Sequence, residues 1–318
     1  MELTNIINAR ERIRSHIRDT PMEKSFFLGE ACGGNVFLKL ENLQFTNSFK
    51  VRGALNKILS LSQDEKDRVL VAASAGNHAQ GIGYAARMLD ISALIVVPTY
   101  TPQVKIDAIK RYGVDLIIYG DKYLETEAKA REIEEKDGKT FISAYNDYEI
   151  IAGQGTIGLE MLEQTPDLDA VIVPVGGGGL ISGISCAVKS QSSDIQVIGV
   201  QSYASPVMYE SLKEGKIIEI PLEETIAEGL YGGIEEGSVT FDLCKKYVDE
   251  ILLVEEKDIL ESIGLMALKQ RQIVEGSAAV GVAAILDDPD RYANKKIGVV
   301  ISGGNIEEEL IRRAFQKV

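Results

Sequence analysis

Short runs of consecutive apolar residues, separated by stretches with helical periodicity, restrict the fold of this sequence more than any other feature does. A strand that is buried on both faces of a sheet has such a run, because both rows of its side chains contact other protein atoms. Helices between such strands connect them in parallel. The chain is therefore predicted to be an α/β protein with mostly parallel sheets and flanking helices. The predicted strands are VFLKL (36–40), RVLVAAS (68–74), ALIVVP (93–98), DLIIYG (115–120), DAVIVPVG (169–176), QVIGVQ (196–201), EILLVE (250–255) and KIGVVIS (296–302).

Composition and charge argue against several classes of partner. The chain has 318 residues, 45% of them hydrophobic, which is enough for one large or two medium domains. Its 34 Lys and Arg residues against 48 Asp and Glu give a formal net charge of -14, which argues against nucleic acid and anionic membranes as partners. The N-terminal segment lacks the apolar run of a signal peptide or membrane span, so we expect a cytoplasmic protein. Cys32, Cys186 and Cys244 form no Cys-x-x-Cys pair, which predicts packing roles rather than a zinc site.

A run of four glycines, Gly176 to Gly179, follows the predicted strand DAVIVPV and precedes a predicted helix. Backbone amides at a helix start can bind a phosphate when no side chain blocks them. A dinucleotide site is disfavoured, because the third glycine of a GxGxxG pattern would fall on Ser182 and the next strand ends at Gln201 instead of an acidic residue. We therefore predict a phosphate-binding loop rather than an NAD site.

Two more strands end in small polar residues. The segment SAGNH after RVLVAA contains Ser74, Gly76, Asn77 and His78, and its helix start can hold a carboxylate or can be an ordinary cap. Capping alone does not explain His78, and both interpretations stay open. The strand KIGVVI ends at Ser302, whose hydroxyl can donate to a ring nitrogen or cap the next helix.

Lys50 lies at the start of a predicted helix in NSFKVRG, with Ser48 as the expected N-cap. A cation at this end of the helix dipole is disfavoured, and burial lowers a lysine pKa further. An amine with a lowered pKa can act as a nucleophile and form a Schiff base. Together with a phosphate loop, this lysine indicates a phosphorylated aldehyde cofactor, pyridoxal phosphate.

Four segments resemble the threonine/serine dehydratases (ammonia-lyases) and serine racemases, which are fold-type-II, tryptophan synthase β-like pyridoxal phosphate enzymes. They are ENLQFTNSFKVRGA, SAGNHAQG, PVGGGGLISG and VVISGGN, in the same order and spacing. The resemblance implies two open, mostly parallel twisted sheets. It also implies a small domain of residues 45–145, which carries the substrate loop, within a large cofactor-binding domain of residues 1–44 and 146–318. Homodimers or homotetramers are usual in this family.

The resemblance also implies roles for individual residues. Lys50 would bind the cofactor covalently and act in catalysis, with Phe49 packed against the ring, Asn77 at the ring hydroxyl and Ser302 at the pyridine nitrogen. The phosphate would be held by Gly176, Gly177, Gly178, Gly179 and Leu180, and the substrate by Ser74, Ala75, Gly76, Asn77 and His78.

The expected reaction is the dehydration and deamination of a β-hydroxy amino acid, L-threonine, L-serine or both, to a 2-oxo acid and ammonia. Serine racemases carry a second acid/base serine where this chain has Ala75, so elimination is expected to dominate over racemisation. The cation site of the racemases uses two acidic residues where this chain has Gln201 and Val207, so no metal ligand is assigned.

Several alternatives to this reaction stay open or are disfavoured. Serine racemase and 3-hydroxyaspartate dehydratase activities use the same kind of site. A non-catalytic regulator that binds the cofactor or an amino acid is the alternative from another class, and the retained Lys50 argues against it. Cysteine synthase-like replacement and threonine synthase chemistry are disfavoured by His78 and Val51, which stand where those enzymes carry threonine and aspartate.

Overall fold

The computed structural model describes residues 1–318, including every side chain except that of Tyr123. The helices and strands alternate along the chain, as the apolar runs predict. The strands are β1 Met22–Ser25, β2 Asn35–Leu40, β3 Leu70–Ala73, β4 Ala93–Val97, β5 Asp115–Ile118, β6 Thr140–Phe141, β7 Ala170–Pro174, β8 Gln196–Ser202, β9 Glu250–Val254 and β10 Lys296–Ile301. The α-helices are α1 Leu3–Ile13, α2 Phe26–Cys32, α3 Lys50–Ser60, α4 Gln63–Lys66, α5 Asn77–Leu89, α6 Gln103–Lys110, α7 Tyr123–Asp137, α8 Tyr148–Gln164, α9 Gly179–Gln191, α10 Val207–Glu214, α11 Val239–Tyr247, α12 Glu256–Leu265, α13 Gly276–Asp287 and α14 Glu308–Phe315.

The strands form two sheets. The larger sheet has the order β1-β2-β10-β7-β8-β9, and the smaller has the order β5-β4-β3-β6. Neighbouring strands are parallel except for β1, which pairs antiparallel with β2 at the edge of the larger sheet. The prediction of an α/β fold with mostly parallel sheets is confirmed.

Central strands of both sheets are covered on both faces. In β7, Ala170 and Ile172 belong to one hydrophobic cluster, whereas Val171 and Val173 belong to another on the opposite face. β3 alternates in the same way between two clusters of the smaller sheet. This double burial is why the strands have consecutive apolar residues rather than an alternating pattern.

All eight predicted strands are present, each within two residues of the predicted ends. Sequence analysis did not find β1 or β6. β1 has the sequence MEKS with a single fully buried residue, and β6 has two residues, so neither contains an apolar run. The three cysteines are buried and unpaired, as expected for packing residues. Within the described chain, none of the helices combines the length and apolarity needed to cross a membrane.

Helix α8 packs against both α3 and α9 through glycines. A Cβ atom at Gly153 would lie 2.7 Å from the carbonyl oxygen of Arg52, and one at Gly155 would lie 2.9 Å from the carbonyl oxygen of Gly183. Residues 153–158 read GQGTIG, a GxGxxG pattern, but they lie inside a helix, where the glycines permit close helix packing instead of binding a pyrophosphate. α8 therefore determines the separation of the helix that begins at Lys50 and the helix that follows the glycine loop.

Candidate active site

Lys50 is the first residue of α3, and Phe49 occupies the N-cap position. The expectation that Ser48 caps this helix is wrong. Ser48 has an extended backbone and forms an antiparallel bridge with Gly303, and its buried hydroxyl has no hydrogen-bond partner among the described groups. Because Ser48 pairs with the segment after β10, the helix begins one residue later than it would if Ser48 were its N-cap.

Lys50 is half-buried as a residue, and its amine contacts the backbone of Ala144. Its Nζ atom donates a hydrogen bond to the carbonyl oxygen of Ala144 at 2.9 Å and lies 5.4 Å from the centroid of the Phe49 ring. Burial lowers the pKa of Lys50 to about 8, and the charge of Glu275 opposes that shift. A substantial fraction of the amine is therefore neutral near physiological pH, as a nucleophile or general base requires.

The segment before Lys50 is held by the segment that follows β10. The amide of Phe49 donates to the carbonyl oxygen of Ser302 at 3.1 Å, and the amide of Gly304 donates to that of Asn47 at 2.9 Å. Thr46 and Asn47 both adopt positive φ angles, 64° and 55°, a conformation that non-glycine residues rarely adopt. The Ser302 side chain, 2% exposed, lies within this junction. The structure thus brings Lys50, Phe49 and Ser302 together.

Asn77 begins α5 and contacts two residues from distant parts of the chain. Its Nδ2 atom donates to the two carboxylate oxygens of Glu275 at 2.8 and 3.1 Å, and its Oδ1 atom accepts from Nδ2 of Asn305 at 2.7 Å. Burial raises the pKa of Glu275 to about 7, against hydrogen bonds from Asn77 and Asn305. Asn77 therefore does not cap its own helix, which removes one of the two sequence interpretations for this residue.

The rest of the SAGNH segment surrounds the N-terminus of α5. The Ser74 hydroxyl accepts from the amide of Gly76 at 3.2 Å, which is a contact within the turn before α5 and not a cap on the helix, and Ala75 is half-buried beside it. The first hydrogen bond into the helix is from Gln80 to Gly76, so the preceding amides have no partner within the helix, as at helix starts that can bind an anion.

His78 is buried and neutral. Its Nε2 atom donates to the carbonyl oxygen of Ile142 at 3.1 Å. Burial, and then the charge of Lys50, lower the pKa of His78 to about 3. His78 therefore adds no positive charge to this helix start between pH 5 and 9.

The glycine loop, Gly176 to Gly179, exposes backbone without side chains. A Cβ atom at Gly177 would lie 2.7 Å from ring carbons of Tyr145, and Gly178 adopts a φ of 86°. Thr240 Oγ1 donates to the carbonyl oxygen of Gly177 at 2.7 Å, which fixes the orientation of the loop. The first amide that donates into α9 is that of Ser182, to Gly178, so the amides before it are directed toward the mouth of the loop. Gly176 and Gly179 are packed against Leu230 and Tyr145, and Leu180 is buried behind them.

The site fits a phosphorylated aldehyde cofactor. The glycine loop presents amides without side chains, Lys50 presents an amine with a lowered pKa, and Ser302 is buried at the end of the strand beside β7. Ala144 and Tyr145 connect Lys50 to the glycine loop. Ala144 accepts the hydrogen bond of the Lys50 amine, and Tyr145 packs against Gly177 and Gly179.

Sequence analysis missed three residues of this site. Glu275 precedes an apolar helix in VEGSAAV, where it reads as an ordinary helix start, and Tyr145 lies in a short loop with no distinguishing pattern. Asn305 was within the SGGN motif but received no role. Gln201, which stands where the racemases have an acidic residue, donates from Nε2 to the carbonyl oxygen of Ser205 at 3.3 Å and accepts from the amide of Tyr209 at 2.8 Å.

The chain is similar to known proteins over nearly its whole length. A family model described as pyridoxal-phosphate dependent enzyme matches residues 13–303. The L-threonine ammonia-lyase of Thermotoga maritima is 45% identical over 315 residues, which cover 99% of this chain and 78% of that protein. The processed form of threonine deaminase isoform 2 from Solanum lycopersicum has a TM-score of 0.94 at 35% identity, covering 99% of this chain and 92% of that one. Serine racemase from Dictyostelium discoideum has a TM-score of 0.90 at 36% identity, covering 96% and 99%.

Proposed function

The chain belongs to the family of pyridoxal-phosphate dependent enzymes, and we propose that it is an ammonia-lyase that dehydrates and deaminates L-threonine, L-serine or both to a 2-oxo acid and ammonia. One observation of geometry carries this proposal: the Lys50 amine donates to the carbonyl oxygen of Ala144, and the next residue, Tyr145, packs against the loop of bare glycines. The near full-length similarity to threonine ammonia-lyases supports the substrate class.

The residues of this chain have separate tasks toward the cofactor. Lys50 would hold it covalently, with Phe49 against its ring, Asn77 at the ring hydroxyl and Ser302 at the ring nitrogen. When bound, the cofactor supplies an electron sink that stabilises negative charge at the substrate Cα atom. Gly176, Gly177, Gly178, Gly179 and Leu180 would hold its phosphate through the N-terminus of α9.

The proton chemistry belongs to Lys50. Its amine, neutral in part near pH 8, is suited to remove the proton from the substrate Cα atom. The amides at the start of α5, with Ser74 and Gly76, would hold the substrate carboxylate. Ala75 offers no second proton donor, so the residues of this site favour loss of the β-hydroxyl over return of a proton to the opposite face of Cα.

Serine racemase activity is the second candidate, because a serine racemase structure resembles this chain over nearly its whole length. Ala75 is the observation against it. Feeding L-serine and measuring pyruvate and D-serine separates the two activities, and D-serine formed faster than pyruvate would reverse the assignment.

Replacement of Lys50 by alanine tests the proposal directly. We expect the variant to lose the visible absorbance of the bound cofactor and the release of ammonia together, because both depend on the amine. Lys57→Ala is the control, since Lys57 lies on the same helix and pairs with Asp147 outside the site. Ammonia release by Lys50→Ala at the wild-type rate would refute the proposal.

Three further properties belong to this proposal. Residues 45–145 would form a small domain around the smaller sheet, and residues 1–44 and 146–318 would form the large domain. The enzyme would act in the cytoplasm on free amino acids in their degradation, and it would assemble as a homodimer or homotetramer. Size-exclusion chromatography with light scattering measures the assembly state.

A further inference from the structure

The side-chain amide of Asn77 has a single favourable orientation in this structure. The oxygen and nitrogen of an amide have nearly the same size, so their positions are determined by hydrogen-bond partners. Here the nitrogen contacts the carboxylate of Glu275, and the oxygen contacts the amide nitrogen of Asn305. Rotation of the Asn77 amide by half a turn would set oxygen against carboxylate and nitrogen against nitrogen, which replaces all three hydrogen bonds with repulsive contacts.

Asn305 is itself fixed by the loop that precedes Lys50. Its Nδ2 atom also donates to the carbonyl oxygen of Thr46 at 2.8 Å, and its backbone amide donates to Oε2 of Glu275 at 3.2 Å. The bond to the Thr46 carbonyl determines which way the Asn305 side-chain amide faces, and its remaining Nδ2 hydrogen is directed to Asn77.

Glu275 is fixed in a comparable way. It is the N-cap of α13, and its amide donates to the carbonyl oxygen of Gly303 at 3.1 Å. A Cβ atom at Gly303 would lie 2.7 Å from Oε1 of Glu275, so the carboxylate occupies the space beside this glycine. The network therefore joins the loop before Lys50, the start of α5, the start of α13 and the segment after β10.

We infer that Asn305 and Glu275 are positioning residues that hold the Asn77 side chain with its amide nitrogen available to the cofactor. An amide nitrogen carries two hydrogens, and the two carboxylate oxygens of Glu275 can share one of them, which leaves the other hydrogen of Asn77 for a cofactor oxygen. This inference rests on the proposed function, because the oxygen that Asn77 would contact belongs to the ring hydroxyl of pyridoxal phosphate. It assigns a role to the last residue of the SGGN motif.

The test compares Asn305→Ala with Asn42→Ala. Each wild-type side chain donates two hydrogen bonds from its Nδ2 atom, Asn42 to Gln272 and Ile273, but Asn42 does not touch Asn77. The dissociation constant of pyridoxal phosphate from the cofactor-free protein is measured by fluorescence titration, together with the pH titration of the bound cofactor's absorbance. We expect Asn305→Ala to raise the dissociation constant about tenfold and to shift the absorbance titration, and Asn42→Ala to leave both unchanged.

A double-mutant cycle separates positioning from general destabilisation. In an Asn77→Ala background, Asn305→Ala should have no further effect on the dissociation constant, because the amide that it positions is absent. A purely structural role would give the same effect in both backgrounds, and that result would overturn the inference.

Glu275 supplies an independent pair of variants. Glu275→Gln keeps an oxygen that can accept from Asn77, whereas Glu275→Leu removes it, so we expect cofactor affinity to be retained within about twofold in the first and lowered about tenfold in the second. If wild type, Glu275→Leu and Asn305→Ala bound pyridoxal phosphate with equal affinity, the inference would be refuted. The proposed function would still stand as long as the wild-type protein released ammonia. A wild-type protein that bound no pyridoxal phosphate would instead refute the proposed function.

Discussion

Lys50 and Arg52 lie within one turn of α3, yet their surroundings produce opposite effects on their charge. Lys50 contacts a backbone carbonyl, and burial lowers its pKa. Arg52 is fully buried, and although burial alone lowers its pKa, the carboxylates of Glu41 and Glu160 outweigh that effect and raise it. Lys39 also pairs with Glu160, so two cations and two carboxylates balance in this cluster. These buried contacts give Arg52 a structural role.

Replacing Arg52 by methionine should destabilise the cofactor-free protein by about 3–5 kcal/mol, because it leaves buried carboxylates with too little positive charge. Urea denaturation measures this difference. Arg10→Met is the matched control, since Arg10 pairs with Glu163 in an exposed position where such a pair contributes less than about 1 kcal/mol. Equal costs for the two variants would contradict the buried-cluster explanation.

Glu275 should make the stability of the cofactor-free protein depend on pH. Its pKa is about 7 in the folded protein and near 4.5 in the unfolded chain, so between these values the folded state holds a proton that the unfolded state has lost. This group therefore contributes a stability that is present below pH 4.5 and falls as pH rises to 7. Relative to Glu275→Gln, the wild-type free energy of unfolding should fall by up to about 3 kcal/mol across that range.

Denaturation of both proteins in steps from pH 4.5 to 8 measures this dependence. Lys50, Lys105 and Glu228 face Glu275 and are present in both proteins, so the difference measures the charge of Glu275 together with its interactions with these groups. A constant difference between the two proteins over this range would contradict the assignment.

At the scale of elements, the site is built where helix starts meet strand ends. α5 and α9 each present free amides, and in both cases the residue before the helix is a glycine. The loop before α9 is narrow because Tyr145 lies against two of its glycines, and the Tyr145 hydroxyl accepts from the amide of Glu235 at 2.9 Å. The close contact with Tyr145 leaves no room for a side chain at these glycines.

Gly177→Ala should weaken binding of pyridoxal phosphate about tenfold or more, because the new Cβ atom meets the Tyr145 ring and displaces the loop. Equilibrium titration of the cofactor-free protein measures the affinity. Gly233→Ala is the control, because a Cβ atom there meets nothing within 4 Å and its φ is not in the left-handed region. If Gly177→Ala bound pyridoxal phosphate with unchanged affinity, the explanation would be contradicted, because the Tyr145 ring would then move aside without affecting the loop.

At the scale of the whole molecule, α8 joins the two parts of the site. Lys50 begins a helix that packs on one side of α8, and the glycine loop leads into a helix that packs on another. Gly153 and Gly155 of α8 face Gly53 and Gly183 of these helices, so the backbones approach without intervening side chains. Helices are rigid over this length. A substitution that pushes either pair of glycines apart would therefore change the distance between the Lys50 amine and the glycine loop.

Gly183→Ala should therefore lower both stability and cofactor affinity. Its Cβ atom would meet the Ile151 carbonyl oxygen and lie 2.6 Å from the Gly155 amide nitrogen, and backbone atoms of a buried helix cannot move aside separately. We expect a loss of about 1–3 kcal/mol in unfolding free energy, with weaker cofactor binding in the same variant. Thermal unfolding with and without cofactor measures both, and a stable variant with normal affinity would contradict the proposed role of α8.

The sequence by itself determined the fold class and most of the strands, because double burial leaves a local signature in consecutive apolar residues. It also predicted a phosphate loop at the four glycines and a reactive amine at Lys50, because bare backbone at a helix start can bind an anion and a lysine at a helix start has a lowered pKa. β1 and β6 escaped prediction because short or half-exposed edge strands owe their pairing to a neighbour rather than to their own residues.

The tertiary structure alone decided how Asn77 faces, which carboxylate accompanies Lys50, and where α3 begins. Glu275 is 225 residues from Lys50 along the chain and looks like any helix start. Burial raises the pKa of Glu275, and its hydrogen bond with Asn77 joins the starts of α13 and α5. Neither effect depends on the residues next to Glu275 in sequence. Local patterns fix which residues can carry out a chemistry, whereas hydrogen-bond partners and desolvation depend on which distant segments the fold brings together.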